Sequence, residues 1–289
     1  MSLFFRKRSV FGRFPFVYVI QLWDNPAYFV SILKRLFIYK RDTTDYAPCY
    51  KNLHFLSAQE TLEDLMATGK SLARYSDGEI GQLVGAGEYP PDSDWCQKNS
   101  KALIADLTAS LSSTDSRLMV AVDPPSTFLA ARDSVHSIRF EYAMWLDTRR
   151  LLWKYLNPSV RYGHCHLFIK ANCPDLDWAQ LRDFLSDKDI IIATGHVEKL
   201  KHLQLGRRTF FIECGTENAY EKKEAIRAAI LKKIEEEKLN KSSTIVFASL
   251  GPTAAILAHQ MLNTGVCLWD TGHMFEFAAT GFIEDVFKV

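Results

Sequence analysis

The sequence predicts an α/β protein with a mainly parallel sheet and helices on both faces. Three observations carry this expectation. Apolar strands and amphipathic helices alternate through the second half. Asp189-Ile190-Ile191-Ile192-Ala193-Thr194 is a continuous apolar run ended by Gly195, which suits a strand covered on both sides. The run Thr244 to Leu250 leads into Gly251-Pro252, a turn and a helix-opening proline.

Taken in order, Ser57-Ala58-Gln59-Glu60 is a capping box that opens a helix to Thr68, with Gly69 as its stop. Ser71 to Tyr75 reads as a strand running into Asp77-Gly78-Glu79 and a short helix. Asp94 to Leu111 has helical spacing through Leu103, Ile104, Leu107 and Leu111. Arg117 to Val122 is a strand closed by Pro124-Pro125, and Phe128 to Leu156 reads as mostly helical. Thr209 to Cys214 is a strand, and Tyr220 to Leu239 a charged helix with Ile226, Ile230 and Ile234 on one face. After the strand Thr244 to Leu250, a helix from Pro252 to Leu262 is closed by Gly265, and Val266 to Asp270 is the last strand.

The 289 residues carry a net charge of only +1, unevenly spread. Residues 1–41 hold eight basic residues, one acid (Asp24) and eleven aromatics, which gives that segment +7. The chain therefore divides into a basic, aromatic arm over residues 1–48 and a catalytic body over 49–289. The arm's longest apolar stretch, Phe14 to Trp23, contains Pro15 and Gln21, too short and interrupted for a spanning helix of about 20 residues. It lacks the cleavage pattern of a signal peptide. Residues 1–41 have two readings: a peripheral contact with an anionic membrane, or an extension packed on the body or a partner subunit. Nucleic acid is not expected as a partner, because the basic character stops at the body. Six scattered cysteines without C-x-x-C spacing form neither a zinc site nor a disulfide framework, and Cys214 and Cys267 lie in apolar runs as buried thiols. A cytoplasmic setting follows, with the inner face of the membrane as the place for the arm.

Four strings could carry chemistry. In Arg74-Tyr75-Ser76-Asp77-Gly78-Glu79, two carboxylates flank a glycine at a strand's end, a hard-oxygen set suited to Mg²⁺ or Mn²⁺. The bland reading is a polar turn with acids in the first turn of a helix. In Ser249-Leu250-Gly251-Pro252-Thr253, free N–H groups at a helix start form an anion site with the Thr253 hydroxyl. It matches neither the P-loop nor the dinucleotide fingerprint, and a plain turn is the alternative. Trp269-Asp270-Thr271-Gly272-His273, with Glu276 beyond it, offers a base, a phosphate donor or a metal ligand. Asn218, in Glu213 to Tyr220, either caps the following helix or bonds a base or ribose. Gly195-His196, and His164 with His166 as a metal pair, are weaker candidates.

Read together and in this order, Arg-Tyr-Ser-Asp-Gly-Glu, Glu-Asn-Ala-Tyr, Leu-Gly-Pro-Thr-Ala and Asp-Thr-Gly-His resemble the bacterial GT-D-type glycosyltransferases, over roughly residues 55–277. The resemblance implies a Rossmann-like fold, a divalent-metal Asp-x-Glu motif, a nucleotide-sugar donor, typically UDP-glucose, and a surface glycan or glycoprotein acceptor. By position, Asp77 and Glu79 match the Asp-x-Glu and Arg74 the arginine before it. Gly251, Pro252 and Thr253 match Gly-Pro-Thr, and Asp270 and His273 match Asp-x-Gly-His. Ser76 and Gly78 fall inside the same nucleotide-sugar string, though family members usually have glycine where Ser76 stands. His273 and Glu276 are the candidate bases. The expected activity is metal-dependent sugar transfer. The alternatives are a phosphoryl-transfer or phosphodiester enzyme built from the same parts, or a catalytically silent nucleotide-binding protein.

Overall fold

The computed structural model describes residues 44–83, 97–129, 147–169, 173, 176–272 and 274–275. The basic arm falls almost wholly outside them. The helices are α1 (Ala47–Tyr50), α2 (Ala58–Thr68), α3 (Asp77–Leu83), α4 (Lys101–Leu111), α5 (Pro125–Leu129), α6 (Trp178–Leu185), α7 (Val197–Leu200), α8 (Lys223–Glu236) and α9 (Pro252–Gln260). The strands are β1 (His54–Phe55), β2 (Ser71–Tyr75), β3 (Leu118–Val122), β4 (Arg161–His164), β5 (Asp189–Thr194), β6 (Arg208–Glu213), β7 (Thr244–Ser249) and β8 (Cys267–Asp270).

They form one sheet in the order β1-β4-β3-β2-β8-β7-β5-β6, and every described pairing is parallel. The expected α/β class is therefore the observed one. Side chains alternate between two cores, as the period of a strand requires. Ala73, Val120, Ile191, Val246 and Leu268 face one core, which α4, α8 and α9 cover. Leu72, Met119, Ile190, Phe247 and Trp269 face the other, which α2 and α6 cover. Ile226, Ile230 and Ile234 are buried, as the helical spacing predicts. Trp269 anchors the second core. Its ring stacks on Phe247 at 5.7 Å and on Phe184 at 6.0 Å, and its Nε1 donates to the Lys70 carbonyl at 3.0 Å.

Local chemistry sets the ends. The Ser57–Glu60 capping box and the left-handed Gly69 bound α2 as expected. The helix expected from Asp94 begins instead at Lys101, because Ser100 is extended and its hydroxyl accepts from Leu103 N–H at 3.1 Å. Of the stretch from Phe128 to Leu156, expected to be mostly helical, residues 128–129 and 147–151 are helical. Pro125 opens α5, described as far as Leu129, and Leu152–Lys154 is a 3₁₀ turn. Residues 130–146 lie outside the description. Cys214 is buried, but Cys267 is only half-buried, with its thiol donating to the Lys70 carbonyl. Among the described residues no helix is long and apolar enough to cross a membrane.

Because every described strand runs the same way, all carboxyl ends open on one rim. The opposite end is closed by charge. Asp189, at the start of β5, is fully buried and takes paired hydrogen bonds from Arg207 and Arg208. The Arg208 and Arg207 guanidinia hold its carboxyl down at about 2. A depressed carboxyl stabilises the fold above its unfolded value, and that contribution is lost as pH falls toward the folded value. Asp189→Asn should therefore cost about 1–3 kcal/mol in urea unfolding at neutral pH, the lower figure reflecting two arginines that keep access to water. The difference between variant and parent should shrink as the pH is lowered from about 4 toward 2.

Candidate active site

The rim is richest where β2 and β8 meet. Asp270 ends β8 and is buried. One carboxylate oxygen accepts from Arg74 N–H at 3.3 Å, the other from Gly272 N–H at 3.0 Å. This ties the end of β8 to β2. Arg74 is only 6% exposed. Its Nε donates to the Cys165 carbonyl, while its Nη1 is buried without a hydrogen-bond partner. The guanidinium fits there because residue 272 has no side chain: a Cβ on Gly272, at φ +49°, would overlap Nη1.

Ser76 and α3 stand directly above. The Ser76 N–H donates to Glu79 Oε2 at 3.0 Å, so Glu79 caps its own helix. The Ser76 hydroxyl donates to Asp123 Oδ2 at 3.2 Å instead of capping. Burial, then the charge of Asp270, push the Glu79 carboxyl up to about 7. Burial pushes Asp270 up to about 6, against the pull of Arg74. Two raised carboxyls beside one guanidinium make a pocket short of positive charge. A hard divalent cation on oxygen ligands fits that deficit. Asp77 opens α3 and Gly78 lies inside it. The Asp77 side chain, His273 and Glu276 lie outside the described residues.

The neighbouring rim is β7. Gly251 adopts φ 56°, ψ −144°, a backbone region kept for glycine, and Pro252 opens α9 as expected. The Thr253 hydroxyl is fully buried with no partner. Ser249 Oγ donates to the Gly272 carbonyl at 2.5 Å, which joins this turn to the Arg74 pocket. The structure thus brings Arg74, Ser76, Glu79, Gly251, Thr253 and Asp270 to neighbouring strand ends.

Asn218 lies farther along the rim, after β6. It takes a left-handed conformation and makes no side-chain cap, so the capping alternative is set aside. Its side-chain oxygen instead accepts from Lys98 N–H at 2.9 Å. There the β5 and β6 loops touch backbone to backbone: a Cβ on Gly195 would collide with Gly215 and Thr216.

A grouping beyond the sequence reading also appears, joining Asp123 and Cys165 to His166. Asp123 follows β3, and Cys165 and His166 follow β4. The His166 Nε2 lies 2.6 Å from Asp123 Oδ1, and the Cys165 thiol donates to the same oxygen at 3.1 Å. The three donor atoms lie within 4.8 Å of one another, the spacing of a metal set. As found, they are closed on each other by hydrogen bonds. Ligands on a tetrahedral ion with bonds of about 2.0 Å stand about 3.3 Å apart, wider than the 2.6 Å here. His164, the other member of the expected metal pair, accepts from His166 N–H through Nδ1 at 3.3 Å. The signal available in the sequence was an acid at the end of a buried strand, ahead of two prolines.

A family model of the glycosyltransferase GT-D fold matches residues 72–278. A probable glycosyl transferase of Streptococcus gordonii is 26% identical over 267 residues, covering 87% of this chain and 35% of that protein. The chain thus spans about a third of the length of that curated relative. Among solved structures, a domain of unknown function 1792 superposes with a TM-score of 0.61 at 18% identity, over 82% of this chain and 86% of that one. A glycosyltransferase with this domain from Streptococcus sanguinis gives 0.59 at 24% identity, over 79% and 85%. A further structure of the domain, described as a distinct glycosyltransferase fold, gives 0.60 at 17% identity, over 88% and 86%.

The raised carboxyls have a sign that can be checked. Their ionised forms cost stability above the folded values, and the cost falls away as pH drops toward the ordinary carboxylate range. Carboxyl-resolved NMR titration without metal should find Glu79 protonating near 7 and Asp270 near 6. Adding Mg²⁺ at a pH between those values should release protons, read directly by pH-stat. Absence of proton release would remove the cation from this pocket.

Proposed function

The chain belongs to the glycosyltransferase GT-D fold family, and from that premise we propose that it moves a hexose from a nucleotide-sugar donor to a surface glycan, glycolipid or glycoprotein. The donor is UDP-glucose or a related UDP-hexose. Mn²⁺ or Mg²⁺ is held by Asp77 and Glu79. The observation that supports this most is the pocket at the β2–β8 junction, where two raised carboxyls face one buried, half-partnered guanidinium beside the Gly251-Pro252-Thr253 turn.

The cation, when bound, supplies positive charge to the diphosphate oxygens and to the charge left on departing UDP. The remaining work falls to the chain. Arg74 offers Nη1, a donor with no partner of its own, to an anion. The first turn of α9 favours negative charge at Gly251, and the Thr253 hydroxyl is an unspent donor. Ser76 and Gly78 shape the turn that presents Asp77 and Glu79. Asp270 acts through Arg74, by fixing its backbone. Asn218 borders the nucleotide from the β6 side. His273 and Glu276, which follow β8 in the sequence, remain the bases that the sequence reading offers. Holding donor and acceptor in one geometry supplies much of the remaining acceleration.

UDP release from UDP-hexoses, measured with and without Mn²⁺, tests the reading. Turnover should require the metal, and the Asp77→Ala, Glu79→Ala double variant should lose at least about 10²-fold in rate. Full turnover by that variant would remove the metal assignment. Release of inorganic phosphate instead of UDP would favour the phosphoryl-transfer alternative.

For the arm, we propose a peripheral contact with anionic membrane from the cytoplasmic side, supported by its charge of +7 and its eleven aromatics. Deleting residues 1–41 should abolish salt-sensitive binding to phosphatidylserine vesicles and leave UDP release intact. Vesicle binding unchanged by the deletion would place the arm elsewhere.

A further inference from the structure

Strands β5 and β7 lie side by side and end in register, Thr194 beside Ser249, yet their chains leave in opposite directions. After β5, Leu200 of α7 packs into the core that Trp269 anchors. After β7, Ala254, Ile256 and Leu257 of α9 pack into the other core. Neighbouring strands that send their helices to opposite faces open a crevice at their carboxyl ends, and open α/β sheets take their ligands there. The Gly251 turn and the start of α9 form the β7 wall of this crevice. The other wall is β6, whose last residue, Glu213, lies in register with Thr194. From Ser249 to Glu213 is thus two strand spacings, about 10 Å, a length that one nucleoside spans.

Glu213 is exposed but fixed. Its Oε1 accepts from Gly215 N–H at 3.2 Å and its Oε2 from Val197 N–H at 3.3 Å, so both the β5 and the β6 loops hold the carboxylate. No other hydrogen bond or ion pair engages it among the described residues. Each oxygen keeps a further lone pair. A held carboxylate without a cation suits the two hydroxyls of a ribose. Dinucleotide-binding folds put an acid to that use at the end of the second strand of a βαβ unit, about 20 residues past the glycine turn. Glu213 ends the second strand of β5–α7–β6, 18 positions after Gly195. Its charge at the start of α7 also repels a phosphate from that helix and leaves the phosphates to α9.

Asn218 follows on the same loop, partly buried and in a left-handed conformation, and its side chain caps nothing. Its oxygen accepts from Lys98 N–H at 2.9 Å. A backbone N–H only donates, which fixes the amide with its oxygen toward Lys98 and its NH₂ outward. That Nδ2 is not buried and has no partner among the described residues. A carboxamide that elsewhere offers a donor and an acceptor here offers donors alone. Pyrimidines differ on this account: uracil carries a carbonyl oxygen where cytosine carries an amino group.

Resting on the sugar-transfer reading above, we propose that the β5–β6 end of the crevice holds the nucleoside of the donor. Glu213 accepts from the ribose hydroxyls, and Asn218 Nδ2 donates to the 4-carbonyl of uracil. The two residues select a uridine nucleotide over a cytidine and over a 2′-deoxy nucleotide.

The test uses the full chain with Mn²⁺ and titration calorimetry. The parent should bind UDP about 10- to 100-fold more tightly than CDP, whose amino group faces the Asn218 NH₂ donor to donor. It should bind UDP about 10- to 100-fold more tightly than 2′-deoxy-UDP, which leaves Glu213 short of a donor. These comparisons need no variant. Asn218→Asp keeps an oxygen for Lys98 N–H and turns the outward donor into an acceptor. The added charge weakens both pyrimidine nucleotides, so the ratio is read, and the preference for UDP over CDP should fall at least about tenfold. Glu213→Gln should bring UDP and 2′-deoxy-UDP to within about twofold of each other. A purely structural role for either residue weakens both nucleotides of its pair alike. An unmoved ratio in either variant therefore overturns the proposal. So does a parent that binds UDP, CDP and 2′-deoxy-UDP equally, and release of UDP from UDP-glucose by that parent leaves the sugar-transfer reading standing. A parent that binds no nucleoside diphosphate and releases none from any UDP-hexose refutes that reading and the proposal with it.

Discussion

One buried carboxylate holds the active rim together. Asp270 accepts from the backbone of Arg74 on β2 and of Gly272 beyond β8. Buried acids are tolerated only when their hydrogen-bonding capacity is met, and here backbone N–H groups help to meet it. Both tethers belong to the ends of strands that pair directly, Leu72 beside Trp269. The contact therefore sets how far Arg74 projects, and Arg74 in turn fills the space that Gly272 leaves empty. Remove the carboxylate, and the guanidinium, the glycine turn and the bond from Ser249 to Gly272 lose their common reference.

The sequence made the second half of the fold legible because its strands are long, apolar and bounded. Asp189–Thr194 appears with the bounds expected of it, and Gly251-Pro252 opens α9 where a proline belongs. The first half was harder to read. The spacing of Leu103, Leu107 and Leu111 is real, but the helix starts only where Ser100 caps it. Strand β4 is hard to read because Arg161-Tyr162-Gly163-His164 carries no apolar run; its Gly163 packs against Thr61 and Met119, where a side chain would not fit. Periodicity reports faces. It does not report caps, or strands made of mixed residues.

The site divides along the same line. Residues grouped in short strings, Arg74 to Glu79 and Gly251 to Thr253, were visible as motifs. The Asp123–His166 contact joins positions 43 residues apart on adjacent strands, and no local pattern announces it. The electrostatics were equally hidden. Asp270 and Glu79 are far apart in the chain, yet burial and then the charge of Asp270 raise the cost of ionising Glu79. Sequence adjacency made Asp77 and Glu79 the obvious acidic pair. Folding adds a second pairing, between Glu79 and Asp270, that tunes the first.

The bare positions on the rim have a consequence for how such a scaffold can diversify. Gly195 lies against the backbone of Gly215, and Gly272 against a buried guanidinium, so neither can acquire a side chain without moving a neighbouring element. Those points are closed to innovation. New chemical preferences must be written at positions such as Ser76 and Asn218, where a side chain already stands with room and partners, while the frame around them stays the same shape.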